Sequence, residues 1–296
     1  MYKIAILGTE NSHALNFAKL INGGHPMRNG RGYADFKVVG VYGYDDAANK
    51  QIQNEAGVEM IAQNLTDFVG KVDAVMITAR HGDNHYSYAK PYLDAGIPMF
   101  VDKPITIDEK EAVLLAKTAK EKNIPLCGGS CCALVTSTQQ LKNIVASTTA
   151  PLGKILGGSV CAPINLRNEY GDFYFYSQHL VQTSMEIFGY DVKRVRAVQR
   201  EDSVSVMCGY DRYEIANFFG PQTYSAVVYG SKSNLYLPID IDTDAYAREV
   251  EAFADMIRSG RMHQTYEDFI KPVFVLNAIK KSMDTNTETE VGTFTL

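Results

Sequence analysis

Tryptophan is absent from this chain, and no apolar run in its 296 residues approaches the roughly 20 residues that a membrane-spanning helix needs. Blocks of like charge are missing too. The 29 Lys and Arg are outnumbered by 34 Asp and Glu, for a net charge of −5, and the cations occur singly or in short groups. That pattern argues against nucleic acid and anionic membrane surfaces as partners. Cysteine is scarce: Cys127, Cys131, Cys132, Cys161 and Cys208. An odd count without an export signal argues against a disulfide framework, and with an apolar strand pattern at residues 3–8 no signal peptide is expected. A cytoplasmic protein is expected. The vicinal pair Cys131-Cys132 has no CxxC companion, and no HExxH motif exists. No metal site is therefore expected, and the cysteines read as small buried hydrophobes.

What is present is an ordinary globular composition, 46% hydrophobic and 21% charged, on a chain long enough for two domains. Strand patterns at residues 3–8, 37–41, 72–78, 99–101 and 124–127 alternate with helix patterns at 13–21, 47–55, 86–95 and 108–122. Thr106 and Asp108 are candidate caps for the last of these. The rhythm predicts a doubly wound parallel sheet with right-handed crossovers. After a helix at 136–147 come short alternating runs at 154–161, 192–200, 203–208, 214–219, 223–229 and 234–237. Those predict a predominantly antiparallel sheet with one face buried and the other a candidate dimer surface. Helices at 244–259 and 268–284 close the chain. The expected class is α/β, with domains at 1–130 and 131–296 and a last segment able to return to the first.

The most telling stretch is Val101-Asp102-Lys103-Pro104, where an apolar run ends and a helix pattern follows. Ligands of open parallel sheets bind outside the carboxyl ends of strands, and Lys103 stands at such an end. Proline after it excludes the α conformation, which aims the lysine. Such a cation can bond a substrate hydroxyl, help move its proton, or anchor a cofactor. It can also be an ordinary strand-end lysine, and this stretch alone leaves both readings open.

The segment from Asp73-Ala74-Val75-Met76-Ile77-Thr78 through His85, Ala95-Gly96 and Asp102-Lys103-Pro104 resembles the Gfo/Idh/MocA family of NAD(P)-dependent oxidoreductases. The family pattern there is a strand ending in Thr-Pro, a His opening the next helix, Ala-Gly, then Glu-Lys-Pro. This chain has Ala79 in place of that first Pro, Asp102 in place of Glu, and a longer loop at Arg80-His81-Gly82-Asp83. The segments 249–260 and 266–282 resemble the family's last two helices. The resemblance implies an N-terminal Rossmann domain, a C-terminal domain on an antiparallel sheet, and Lys103 at both nicotinamide and substrate.

The first-strand loop reads Gly8-Thr9-Glu10-Asn11-Ser12-His13-Ala14, so only the first glycine of GxGxxG survives. Asn11 stands at the second, where its tolerance of unusual backbone angles helps, and Ser12 is a candidate cap or phosphate ligand. Glu10 is repulsive to a pyrophosphate unless it turns away. At the second strand's end Gly43 replaces the usual ribose-binding acid, and Asp45 follows two residues later, favouring NAD without excluding NADP. The family's D-x-x-x-H-x-x-D helix matches Phe175 through Gln182, with His179 kept and both acids replaced. Phe175, His179 and Gln182 share a helix face, and Tyr174, Tyr176 or Glu186 are candidates to orient the histidine.

The resemblance thus implies a nicotinamide-dependent dehydrogenase of a sugar, cyclitol or related polyol. Lys103 and His179 are the catalytic residues. Gly8, Thr9, Asn11 and Ser12 lie at the phosphates, Asp45 at the ribose, and Thr78, His85 and Asp102 at the nicotinamide side. Arg80 is a candidate substrate anchor. A homodimer or homotetramer is expected. The rival expectations are a ligand-binding or regulatory protein that kept the fold without catalysis, and a lyase or hydrolase working through transient oxidation.

Overall fold

Ile4, Ala5, Ile6 and Leu7 are all inaccessible to solvent, and so are Ala74, Val75, Met76 and Ile77. Strands buried on both faces require helices above and below the sheet, the condition under which parallel sheets form. The computed structural model, which describes residues 1–147, 151–220 and 223–296, has that arrangement. Its first sheet contains β1 (Tyr2–Leu7), β2 (Phe36–Tyr42), β3 (Met60–Ile61), β4 (Ala74–Ile77), β5 (Met99–Asp102) and β6 (Leu126–Gly129). All neighbouring pairs are parallel, in the order β3-β2-β1-β4-β5-β6. The direction of progression reverses between β1 and β4, and ligands of such sheets bind outside the strand ends at that switch point.

The connecting helices are α1 (Ser12–Asn22), α2 (Asp46–Ala56), α3 (Asp83–Asp94) and α4 (Glu109–Lys122). Asp108 caps α4 by accepting from the amides of Lys110 and Glu111. Thr106 is no cap: its hydroxyl donates to the Asp108 carbonyl. The two-residue β3 escapes the sequence pattern because it is too short to show a period.

Contacts divide the chain into two compact units: residues 1–129 with 246–270 and 296, and residues 130–245 with 271–295. The first unit therefore recruits most of α8 (Ala245–Ser259). Val250, Phe253, Ala254 and Met256 of α8 join Phe17 of α1 and Phe100 of β5 in one core cluster. The Phe17 and Phe100 rings meet edge-on at 5.3 Å, and Phe100 and Phe253 at 6.5 Å. Arg258 adds a two-pronged ion pair to Asp35, both distances 2.8 Å, but both partners are exposed and water screens the pair.

The second unit opens with α5 (Cys131–Leu134) and α6 (Thr136–Ala146), then β7 (Ile155–Ala162) and α7 (Phe173–Phe188). β8 (Arg194–Gln199), β9 (Val204–Gly209), β10 (Glu214–Phe219), β11 (Ser225–Gly230) and β12 (Asn234–Pro238) follow. α9 (Tyr266–Thr285) and β13 (Thr289–Glu290) close the chain. The sheet order is β12-β11-β7-β10-β9-β8-β13. Among the described residues only the β10–β7 pair of this sheet is parallel; the others are antiparallel. Alternation is visible in β9, where Val204 and Val206 are buried while Ser205 and Met207 are exposed. Tyr236, Val227, Ser159, Ala216 and Met207 lie in register across five strands on the outer face. Helix α7 buries every residue except Tyr174 and Tyr176, so it is enclosed nearly all round.

Phe253→Ala is expected to destabilise the first unit by about 3–5 kcal/mol, because a buried ring leaves a cavity. Phe218→Ala, at a 44% exposed position of β10, is expected to change stability by no more than about 0.5 kcal/mol. Urea titration followed by circular dichroism separates the two; equal effects would contradict the assignment of α8 to this core.

Candidate functional site

Asp102 ends β5 at the first sheet's carboxyl edge, wholly buried. Its Oδ1 accepts from the Lys103 amide at 2.7 Å, and its Oδ2 accepts from Asn11 Nδ2 at 3.1 Å. His13 Nδ1 lies 2.7 Å from the same Oδ2. Burial alone would raise the carboxyl, but the neighbouring His13 and Lys103 outweigh it and hold the group below its usual range. The strand end carrying Lys103 is thereby tied to the start of α1. Lys103 itself is 5% exposed, and its peptide bond to Pro104 is cis.

Asn11 is the N-cap of α1: its Oδ1 accepts from the His13 amide at 3.2 Å. The capping role expected of Ser12 belongs to Asn11, and Ser12 is the first, exposed helical residue. Nor does Asn11 use a special backbone angle, since its φ of −97° is ordinary extended chain. What it supplies is an amide that accepts from the helix and donates to Asp102 at once. Gly8 does need to be glycine: its φ is +95°, and a Cβ there would lie 2.3 Å from the Ala79 nitrogen. Thr78, also wholly buried, donates from Oγ1 to the Gly8 carbonyl at 2.7 Å.

Glu10 turns aside. Its Oε1 accepts from the Arg80 amide at 2.9 Å, while Oε2 is buried with no hydrogen-bond partner among the described residues. Thr9 faces the end of β2, where its hydroxyl donates to Asn49 Oδ1 at 2.7 Å and Asn49 Nδ2 donates to the Gly43 carbonyl at 2.8 Å. A Cβ on Gly43 would come 2.0 Å from Thr9 Oγ1, which explains why no acid stands there. Asp45 caps α2, accepting through Oδ1 from the amides of Ala47 and Ala48. His85 is sealed inside, its Nε2 2.7 Å from the Ala79 carbonyl. Burial lowers its pKa, with only partial compensation from Ala79 and Asp102. It braces the Ala79 loop from within.

These residues fit a dinucleotide. The loop enters the positive end of an 11-residue helix, and Glu10 is held by a backbone amide instead of repelling phosphate. The buried orphan Oε2 is an acceptor that a ribose hydroxyl would satisfy.

In the second unit, His179 on α7 is 6% exposed, and its Nδ1 is 2.8 Å from Ser130 Oγ. The Ser130 amide donates to Gln182 Oε1 at 2.8 Å, and Gln178 Nε2 donates to the same oxygen at 2.9 Å. His179 and Gln182 thus share a face, as their spacing requires. Of the expected orienting groups, Tyr176 packs edge-on against the imidazole at 5.6 Å. Glu186 is committed to Lys142, Gln139 and Tyr190, and the Tyr174 hydroxyl donates to Asn277. Ser130 also holds the imidazole, a contact its sequence context did not signal. Cys132 Sγ lies 3.5 Å from the same Nδ1 and 3.9 Å from Cys131 Sγ. The hydrogen bond with Cys132, reinforced by burial, pushes the Cys131 thiol well above its ordinary value.

Residues 2–128 match the model of the oxidoreductase family GFO_IDH_MocA, described by its NAD-binding Rossmann fold. No curated protein matches the sequence. Among solved structures, the fold is similar to scyllo-inositol dehydrogenase from Lactobacillus casei with bound NAD(H) and scyllo-inositol, at 17% identity and a TM-score of 0.83, covering 99% of this chain and 100% of that one. It is also similar to GenD2 from gentamicin A biosynthesis in complex with NAD, at 15% identity and a TM-score of 0.85, covering 99% and 97%. Myo-inositol 2-dehydrogenase from Lactobacillus plantarum gives 17% identity and a TM-score of 0.80, covering 98% and 99%. At such identities the likeness establishes the fold alone. No helix among the described residues is long and apolar enough to cross a membrane.

Because burial depresses the folded-state pKa of His85, the unfolded chain binds more protons below the ordinary histidine value of about 6.5. The stability contributed by neutral His85 is complete above that pH and is lost as pH falls below it. His85→Gln is expected to flatten the stability–pH curve between about pH 6.5 and 5, leaving the slope from His25, which burial shifts the same way. Denaturant melts across that range check this; an unchanged slope would contradict it.

Proposed function

We propose that this chain, a member through residues 2–128 of an oxidoreductase family with an NAD-binding Rossmann fold, transfers hydride between NAD and a CH–OH carbon of a sugar, cyclitol or related polyol. The observation that carries the reading is the buried Asp102, which couples the Lys103 strand end to the cap of α1. That linkage supports one ligand meeting both the helix terminus and the lysine. Gly8, Thr9, Asn11 and Ser12 form the phosphate loop of this reading: Gly8 by its close approach to Ala79, Thr9 by bracing the loop on Asn49, and Asn11 and Ser12 at the helix start. Asp45 takes the adenosine ribose. Its negative charge disfavours a 2′-phosphate, so NAD is preferred to NADP. Thr78, His85 and Asp102 are wholly buried and act by fixing the loop and the lysine.

The cofactor, when bound, supplies the hydride acceptor or donor. Lys103 polarises the substrate oxygen, and His179, oriented by Ser130, exchanges the hydroxyl proton. Each role stands on its own unit and is tested separately. The inositol dehydrogenases of similar fold support a polyol as substrate. A homodimer or homotetramer belongs to the same proposal, supported by the exposed Met207 and Tyr236 in the outer row of the second sheet.

Titration with NADH and NADPH, followed by nicotinamide fluorescence against a tryptophan-free background, is expected to show micromolar binding with NADH the tighter. Failure of both reduced and oxidised forms to bind would sink the redox reading. With a turned-over polyol in hand, Lys103→Ala and His179→Ala are each expected to lower kcat by about 10²-fold or more while cofactor affinity stays within a few fold. Full activity in either variant removes that residue from the chemistry.

A further inference from the structure

The adjacent cysteines have no part in hydride transfer, yet the fold sets both against His179. Cys131 Sγ, Cys132 Sγ and an imidazole nitrogen of His179 lie within 4.8 Å of one another, and all three residues are buried. The sulfurs are 3.9 Å apart, too far for a disulfide, and both are free thiols. Cys132 Sγ and His179 Nδ1 are 3.5 Å apart. In a tetrahedral zinc centre with Zn–S near 2.3 Å and Zn–N near 2.05 Å, the sulfur–sulfur edge is about 3.8 Å and the sulfur–nitrogen edge about 3.6 Å. The 3.9 Å and 3.5 Å separations lie within about 0.1 Å of those edges, and the third, from Cys131 Sγ to the imidazole, is no longer than 4.8 Å.

We propose that Cys131 Sγ, Cys132 Sγ and His179 Nδ1 form a three-ligand site for one thiophilic divalent ion of the Zn2+ type, with the fourth position open. Donor chemistry selects the class of ion, because two sulfurs and an imidazole disfavour Mg2+ and Ca2+, which take oxygen ligands. Charge agrees with burial. Two thiolates and a neutral imidazole balance a divalent ion, so the loaded centre carries no net charge into the interior. Binding breaks two S–H bonds, forms two metal–sulfur bonds and sends two protons to solvent.

The surroundings are those of a supported site. Ser130 caps the short helix through the Cys132 amide, at 3.2 Å, and its own amide is pinned by Gln182. Loading the ion replaces the contact between Ser130 Oγ and His179 Nδ1 and the thiol contacts among the three ligands. Three protein ligands with an open position is the coordination of catalytic zinc.

The test uses the full chain, reduced and stripped with chelator, titrated with Co2+ alone and without cofactor or polyol, so its failure is separate from that of the redox reading. One equivalent is expected to bind with near-ultraviolet sulfur-to-cobalt charge-transfer absorption, and Zn2+ is expected to displace it. Cys132→Ser is expected to weaken uptake by more than about tenfold. Cys161→Ser, whose thiol instead lies 3.0 Å from Ser225 Oγ, is expected to titrate like the parent. Absence of the thiolate band in the parent protein overturns the proposal without any variant having to fold. An unchanged band and affinity in Cys132→Ser overturns it as well.

Discussion

The geometry of the first unit depends on one buried negative charge. Asp102 is removed from water at the end of β5, and a lone carboxylate there would be neutralised or displaced. It stays ionised because His13, Asn11 and the Lys103 amide converge on its two oxygens. Each partner lies at a place where the backbone must be held: the helix cap, the first helical turn and the strand exit. Satisfying the charge and positioning the loop are therefore the same event. The Gly8–Ala79 approach and the Thr78 hydroxyl fasten the neighbouring strand exit to it.

The second unit is organised around a neutral counterpart. Ser130 uses its amide on Gln182 and its hydroxyl on both His179 and the Cys132 amide. Where a carboxylate would orient a histidine by charge, this unit uses hydroxyl, amide and thiol groups. Having Phe175 and Gln182 uncharged lowers the cost of enclosing a helix that is buried nearly all round.

The alternating rhythm of the first half and the short runs of the second carried both sheets, because periods of 3.6 and 2 survive in the linear pattern. Lys103 was legible because a strand exit followed by proline is a local signal. Elements without a period were not: the two-residue β3, the four-residue α5 and the terminal β13. Glu10 read as repulsive because the chain does not show that Arg80, 70 residues away, offers it an amide. Gly43 read as a missing acid, when the space is taken by Thr9.

By itself the sequence determined the α/β class, the strand exits and the residue types available at them, since these follow from local burial patterns and turn chemistry. Tertiary structure decided which groups complete one another. Asn11 and Asp102 are 91 positions apart, and Ser130 and His179 are 49. The pairing of Cys132 with His179 spans 47. Hydrogen bonds and metal ligation act over a few ångströms in space, and no spacing along the chain encodes a contact that only packing brings about.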